Sequence, residues 1–514
     1  MRHLCESGLR ENRTGRLSGG RRPALRGASS DPTVTKRLNK TAEVVAETVE
    51  RRGAAKGKAG SRDTGWTLGQ ETVPQVADRI RRAVKRNPGE RLTALLHHIN
   101  AATLRASYFG LKREAAAGVD QVTWREYGEG LEERLLDLQD RVHSGAYRAQ
   151  PVRRVEIPKP DGSKRPLGIA TLEDKILQKA VVDCILTPIF EAEFLGFSYG
   201  FRPGRGAHDA LDALAFAIER GKVNWIVDAD IRGYFDNINR DWLVRFVEHR
   251  IGDRRVVRLI QKWLRAGVMQ DGAWSDSGQG TPQGANVSPV LANVFLHYVL
   301  DLWFQRKWRR HVPRGEVRIV RYADDFVVGF QYKQEAERFL DDLKRRLARF
   351  GLDLHPKKTR LVEFGRFAAA SRKRRGQSRP QTFDFLGFTH YVTTTRKGRF
   401  RLGRKPMAKR MGRTLQRIRG VLGQRLHHDI WEVGQWLGQV VNGWLNYYAV
   451  PGSSQWLQTF AHQVRRLWMA VLRRRSQRHR FAWKRMERMT ELLWPPIRIR
   501  HPWPDRRFAV NYLR

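Results

Sequence analysis

The chain has 514 residues, with 97 Lys+Arg against 52 Asp+Glu, a formal net charge of +45 and a pI near 11.2. Its 41% hydrophobic content, with 23 Phe, 16 Trp and 12 Tyr, is enough to build sizeable cores, which excludes a wholly disordered basic protein. No run approaches the ~18 consecutive apolar residues of a membrane-spanning helix, and Cys5 and Cys184 supply neither a disulfide framework nor a Cys-x-x-Cys zinc clip. A charge this large points to a polyanionic partner, RNA or DNA before lipid, with no membrane expected.

Residues 1–70 hold 15 Lys+Arg and 7 acids among Gly, Ala, Ser and Thr, too polar to bury a core. They read as a disordered basic tail with a short helix at 42–49. Glu6, Glu11 and Asp31 argue against a cleaved targeting signal. Helical spacing begins at Val76 and runs through Leu92, Leu95, Leu96, Ile99 and Leu104 to Leu111. Around Pro158-Lys159-Pro160-Asp161-Gly162 the pattern predicts a basic-tipped β-hairpin within 147–169. Helices are expected at 172–194, 208–220, 240–250, 254–266, 286–308 and 334–350, the last capped by Gly351, with strands at 223–231, 317–321 and 326–330. Residues 371–380 read as a loop before the apolar run 383–388. Residues 401–514 are helical and carry 24 Lys+Arg against 5 acids, with 8 of the 16 tryptophans. Such interleaving suits RNA, rings stacking on bases while guanidinium groups take phosphates; for any one Trp, ordinary helix core fits as well.

Two acidic sites sit at apolar strand ends, a costly place for charge without a compensating cation. Asp230 follows Val227-Asp228-Ala229, and Asp324-Asp325 follow Val320-Arg321-Tyr322-Ala323. Brought together from adjacent strands, these carboxylates would hold hard divalent cations for in-line phosphoryl transfer. Taken alone, an Asp-Asp pair is as readily a turn or cap.

The wider constellation decides between these. Tyr322-Ala323-Asp324-Asp325 resembles the catalytic hairpin of reverse transcriptases, and the run Asp230-Ile231-Arg232-Gly233-Tyr234-Phe235-Asp236 resembles the strand supplying their first metal-binding aspartate. Gln283-Gly284-Ala285-Asn286-Val287-Ser288-Pro289 is similar to the intervening motif of group II intron-encoded reverse transcriptases, Ala285-Asn286 departing from the usual small and apolar pair. Residues 157–169, Ala117-Gly118-Val119-Asp120, residues 197–204, residues 354–359, residues 383–388 and Gly443-Trp444-Leu445-Asn446-Tyr447-Tyr448 match further family motifs in the family's order.

The resemblance implies an α+β right-hand polymerase: fingers and palm over 76–390, an all-helical thumb or maturase domain over 400–470, and a basic nucleic-acid-binding extension over 471–514. It implies an RNA-directed DNA polymerase using two Mg²⁺ ions, with Mn²⁺ as a substitute. Asp230, Asp324 and the Ile231 carbonyl would ligate them, and Asp325 would support them. Phe235, five residues after the first aspartate, would be the steric gate against ribonucleotides; as a lone ring it could equally be core. Lys159 and Arg165 would neutralise the triphosphate, and Gln283 would contact the incoming nucleotide. Trp444, Asn446, Tyr447, Tyr448, Arg473, Arg474 and Arg475 would meet RNA. The implied partners are a group II intron RNA, an RNA template with DNA primer, dNTPs and a DNA target site. The implied location is the prokaryotic cytoplasm, as a ribonucleoprotein, with oligomeric state open. No His-Asn-His cluster or cysteine pair follows residue 490, so no endonuclease domain is expected. The competing classes are a splicing-only RNA-binding maturase and a reverse transcriptase serving a defence or diversity-generating system.

Overall fold

The computed structural model describes residues 72–158, 164–270, 273–275, 280, 284–377, 379–475 and 481–507. The expected tail over 1–70 and its helix at 42–49 lie outside the described residues. The first helix, Val73–Arg86, starts where the sequence allows it. Thr72 caps it, with its backbone N–H donating to Gln75 Oε1 at 2.8 Å, and Pro74 stands in the first turn. Its stripe of Val76, Ala77, Ile80 and Val84 is buried. The helical spacing of 92–111 resolves into a turn at Leu96–His98 and a helix at Ala101–Phe109.

The strands are β1 (Val152–Pro158), β2 (Lys164–Ile169), β3 (Trp225–Asp230), β4 (Val268–Gln270), β5 (Ala273–Ser275), β6 (Val317–Tyr322), β7 (Asp325–Phe330), β8 (Arg360–Glu363), β9 (Phe383–Phe385), β10 (Phe388–Thr394) and β11 (Phe400–Pro406). Among the described residues they form three sheets, ordered β2-β1-β4-β5, β6-β7-β3-β8 and β11-β10-β9. The β1–β2 hairpin was expected; β4, β5 and β8, three or four residues each, were not.

The central sheet β6-β7-β3-β8 separates two cores by alternation of side chains. Val227, Ala229, Val317, Ile319, Phe326, Val328 and Phe330 face a core built with the helices that precede and interleave the strands. Ile226, Val320, Val327 and Val362 face the other, built by the helix Ala207–Arg220 and the C-terminal helices. Those C-terminal helices are Ala408–Gln424, Ile430–Tyr448, Ser454–Arg474 and Trp483–Leu493. No helix among the described residues is long and apolar enough to cross a membrane.

Three expectations change. Residues 401–406, expected to begin an all-helical region, lie in strand β11, which pairs antiparallel with β10. The helix at 286–308 is Ser288–Leu296 followed by π-helical turns at His297–Asp301 and Trp303–Trp308, and residues 368–374 are a short helix rather than loop. Its alanine start favours helix, and Arg372 reaches the largely buried Glu363 at 3.8 Å.

Candidate active site

Antiparallel pairing sets Asp230 of β3 directly opposite Asp325 of β7, so the two carboxylates leave the sheet on the same face. Asp228 shares that face, two residues earlier. Asp324 is the second residue of the two-residue turn joining β6 to β7. In that turn Ala323 has φ +56°, a left-handed conformation costing an L-residue roughly 1–2 kcal/mol.

The surroundings hold the turn in place. Arg321 is fully buried; its guanidinium pairs with buried Asp301 at 2.5 Å, and donates to Asn293 Oδ1 at 3.0 Å and to the Ala323 carbonyl at 2.9 Å. Asn293 in turn donates to the Gly200 carbonyl at 2.7 Å. Backbone bonds run from Arg321 N–H to Phe197 and from Tyr199 N–H to Arg321, both 2.9 Å. Gly200 sits so close that a Cβ there would lie 2.4 Å from Ala323 N. The motif 197–204 is itself folded by Arg202, which pairs with Glu191 at 2.6 Å and donates to the Ser198 carbonyl at 2.7 Å. Arg321, Asp301 and Asn293 were missed from the sequence; the one signal was an arginine inside the apolar strand Val317–Tyr322.

The electrostatics are those of crowded acids. Burial, then repulsion from Asp228, Asp324 and Asp230, pushes the Asp325 carboxyl well above the usual carboxylate range, against one stabilising N–H from Leu386. Burial raises Asp228 to about 6, opposed by Arg360 at 3.0 Å. Lys358 places its ammonium 2.8 Å from Asp230 Oδ2. The motif 354–359 delivers that lysine, because His355 N–H donates to the Asp230 carbonyl at 2.8 Å and Arg232 N–H to the Asp353 carbonyl at 2.9 Å. This bridge uses the carbonyls of Asp230 and Asp353, and that of Ile231 stays outside it. Among the described residues no three Asp, Glu, His or Cys side chains stand as a finished metal cage. An all-oxygen set of mutually repelling acids, with a cation already seated on one member, nevertheless fits a hard divalent ion. Asp230, Asp324, Asp325 and the Ile231 carbonyl are the residues that could hold it.

Beside the acids opens a cleft of about 670 Å³ whose lining includes Leu167, Phe201, Phe235, Gly284, Ala285 and Tyr322. Phe235 is half-buried on a turn that Gly233 enters at φ +51°, and the Tyr234 hydroxyl anchors that turn on the Ala292 carbonyl at 2.6 Å. Gly284 adopts φ +111°, and a Cβ there would lie 2.6 Å from the Gly168 carbonyl. Only glycine lets this turn meet the end of β2. Asn286, the departure from the family pattern, donates its backbone N–H to Gln178 at 3.0 Å and its amide to the Lys175 carbonyl at 3.1 Å. The backbone of Arg165 lies in β2 opposite Ile157. Lys159 and Gln283 lie outside the described residues.

The C-terminal helices correct three expectations. Trp444, Tyr447 and Tyr448 are buried, so their rings are not available to RNA bases. Trp444 stacks on Phe460 with centroids 4.1 Å apart. The Tyr447 hydroxyl donates to the Leu386 carbonyl at 2.7 Å, supporting the turn at Leu386 (φ +47°) and Gly387 (φ +81°) between β9 and β10. The same Leu386 gives its N–H to Asp325, so these helices bear on the acidic site through one peptide turn. Asn446 is exposed, its side chain accepting from Arg500 and its carbonyl meeting His501 at 2.8 Å. Arg473 and Arg474 are exposed, Arg473 also reaching the Phe481 carbonyl at 3.4 Å, whereas Arg475 is half-buried and donates to the His428 carbonyl at 2.5 Å.

Comparison with known proteins agrees with this geometry. Residues 157–390 match the reverse transcriptase (RNA-dependent DNA polymerase) family and residues 411–489 the maturase-specific domain of group II introns. A reverse transcriptase domain joined to a maturase domain defines the class. The chain is similar to protein YkfC of Escherichia coli K12 (34% identity over 240 residues, 41% of this chain and 62% of that protein). It is similar also to the group II intron-encoded protein LtrA of Lactococcus lactis subsp. cremoris (40% over 187 residues, 35% and 30%). A third relative is nuclear intron maturase 3, mitochondrial, of Arabidopsis thaliana (30% over 131 residues, 25% and 18%). The chain thus matches less than two thirds of the length of each. Its residues 157–390 thus carry a reverse transcriptase domain, of a family that uses a divalent metal, and its residues 411–489 a group II intron maturase-specific domain.

Proposed function

We propose that the protein is an RNA-directed DNA polymerase that copies a group II intron RNA into DNA and assists its splicing. The observation that carries this reading is the pairing of Asp230 with Asp325 beside the turn that bears Asp324, next to a nucleotide-sized cleft rimmed by Phe235. In it residues 76–390 are fingers and palm of a right hand, 400–470 the thumb or maturase domain, and 471–514 a nucleic-acid-binding extension.

Asp230, Asp324 and the Ile231 carbonyl ligate two Mg²⁺ ions, or Mn²⁺ in their place, and Asp325 supports them. Bound there, the pair lowers the pKa of the primer 3′-hydroxyl and neutralises charge building at the α-phosphate and leaving pyrophosphate. Lys358 neutralises Asp230, with its ammonium 2.8 Å from Oδ2, and a metal ion on that carboxylate would compete with it. Lys159 and Arg165 neutralise the triphosphate, Gln283 contacts the nucleotide, and the Phe235 ring occupies the space a 2′-hydroxyl needs. The Arg321–Asp301 pair keeps the Asp324 turn rigid, so that the acids do not reorganise during the reaction. Intron RNA, an RNA template with DNA primer, dNTPs and a DNA target are the partners, met in the prokaryotic cytoplasm as a ribonucleoprotein.

The test is primer extension on an RNA template with Mg²⁺, beside a splicing assay on RNA transcribed around the reading frame. Asp324→Asn is expected to lose extension while RNA affinity and splicing assistance stay near wild type. Normal extension by that variant would refute the metal assignment.

A further inference from the structure

At the far end of the central sheet from the acids lies a second, larger cleft of about 840 Å³. It opens between the end of the helix Ala207–Arg220 and the tip of the β10–β11 hairpin, which runs away from the Leu386–Gly387 turn for seven residues, roughly 20 Å. Its lining carries Arg220, Arg366, Arg396, Lys397, Arg399 and Arg401 against two acids, Glu219 and Asp505. Both acids are engaged: Asp505 lies 3.8 Å from Arg220, and Glu219 accepts the Leu402 N–H at 2.8 Å. The tip is closed by Thr395 N–H on the Arg399 carbonyl at 2.8 Å, which presents exposed Arg396, Lys397 and Arg399 on one tight turn.

Two large exposed rings adjoin residues of this lining. Phe367, next to Arg366, is 61% exposed, and Trp503 is 43% exposed with the Arg401 guanidinium 4.3 Å from its ring centroid. The rings of Trp444, Tyr447 and Tyr448 are sequestered, whereas this cleft combines six cations in its lining with accessible aromatics beside it. Cations along a groove with rings at its rim are the means by which single-stranded nucleic acid is held, phosphates on the charges and bases on the rings. A folded protein partner would leave six like charges to be desolvated together, and a membrane surface would not enter a concave cleft.

We propose that this cleft binds a single-stranded segment of RNA, separately from the template and primer at the carboxylates, with phosphates on the hairpin tip and bases on Phe367 and Trp503. The choice of RNA rests on the proposed function; the location does not. The full-length protein, saturated with unlabelled RNA–DNA template–primer, is irradiated with a 12-nucleotide oligo(U) carrying 4-thiouridine. Cross-links are expected at Phe367, Trp503 or the hairpin tip. The variant Arg396→Ala/Lys397→Ala/Arg399→Ala is expected to bind oligo(U) about tenfold more weakly, with a salt slope smaller by about 2, and to extend the primer at the wild-type rate. Cross-links confined to other segments, unchanged affinity in the variant, or loss of its extension would overturn a separate site. Equal affinity for 12-nucleotide oligo(dT) would overturn its assignment to RNA. A protein that extends no primer yet cross-links at the hairpin tip would sink the polymerase proposal and leave this cleft standing.

Discussion

Phe235 and Arg321 show what single side chains contribute on either side of the acidic turn. Phe235 is half-buried at the rim of the cleft, positioned to exclude rather than to bind. Phe235→Ala is expected to raise ribonucleotide incorporation at least tenfold, measured as the rNTP to dNTP ratio of kcat/KM; an unchanged ratio would place the gate elsewhere. Arg321 acts through structure. Replacing it with Met leaves Asp301 buried and unpaired, a loss of about 3–5 kcal/mol, and Arg321→Met with Asp301→Leu should recover most of it in urea denaturation. The three aspartates were legible because acids at the ends of apolar strands are conspicuous. Arg321 was not, because its partner lies twenty residues upstream on a π-helical turn that no local pattern marks. Trp444 and Tyr448 were misread for a nearby reason: a ring in a basic helix suits RNA and core alike. The stripe Val433, Leu437, Val441, Trp444 and Tyr448, all buried and spaced three or four apart, was the signal favouring core.

Elements were legible where periodicity is long and obscure where register or tertiary contact decides. The helix Ala207–Arg220 and the strands β6 and β7 fall within a residue or so of expectation. The three-residue strands β4 and β5 have no pattern of their own and exist because β4 pairs alongside β1. The turn Leu96–His98, read as continuous helix, buries His98, and burial, with His97 and Arg79 nearby, lowers its pKa to about 4. A lowered histidine pKa means the folded state stays neutral while the unfolded state takes up a proton below about 6.5. Stability from this group is therefore whole above that pH and lost as pH falls towards 4. Between pH 7.5 and 5 the wild type should lose about 2 kcal/mol more than His98→Gln, read from urea midpoints at the two pH values. Equal losses would mean that His98 takes up its proton at the same pH in the folded and unfolded states.

On the scale of the molecule, the order of parts was readable but their packing was not. Asp212 pairs with Arg404 at 2.9 Å and with Arg507 at 3.1 Å, joining the helix Ala207–Arg220 to β11 and to the C-terminal segment across gaps that sequence spacing does not bridge. The C-terminal helices share a core with that helix and one face of the central sheet, and through Tyr447 and Leu386 their influence reaches Asp325. The account stands on Asp230 and Asp324 working as one unit, which a double-mutant cycle on single-nucleotide extension measures directly. Asp230→Asn and Asp324→Asn should each slow the step at least ~10³-fold, and combining them should add less than about tenfold, as residues that share a task behave. A single variant near the wild-type rate, or losses that multiply, would contradict it.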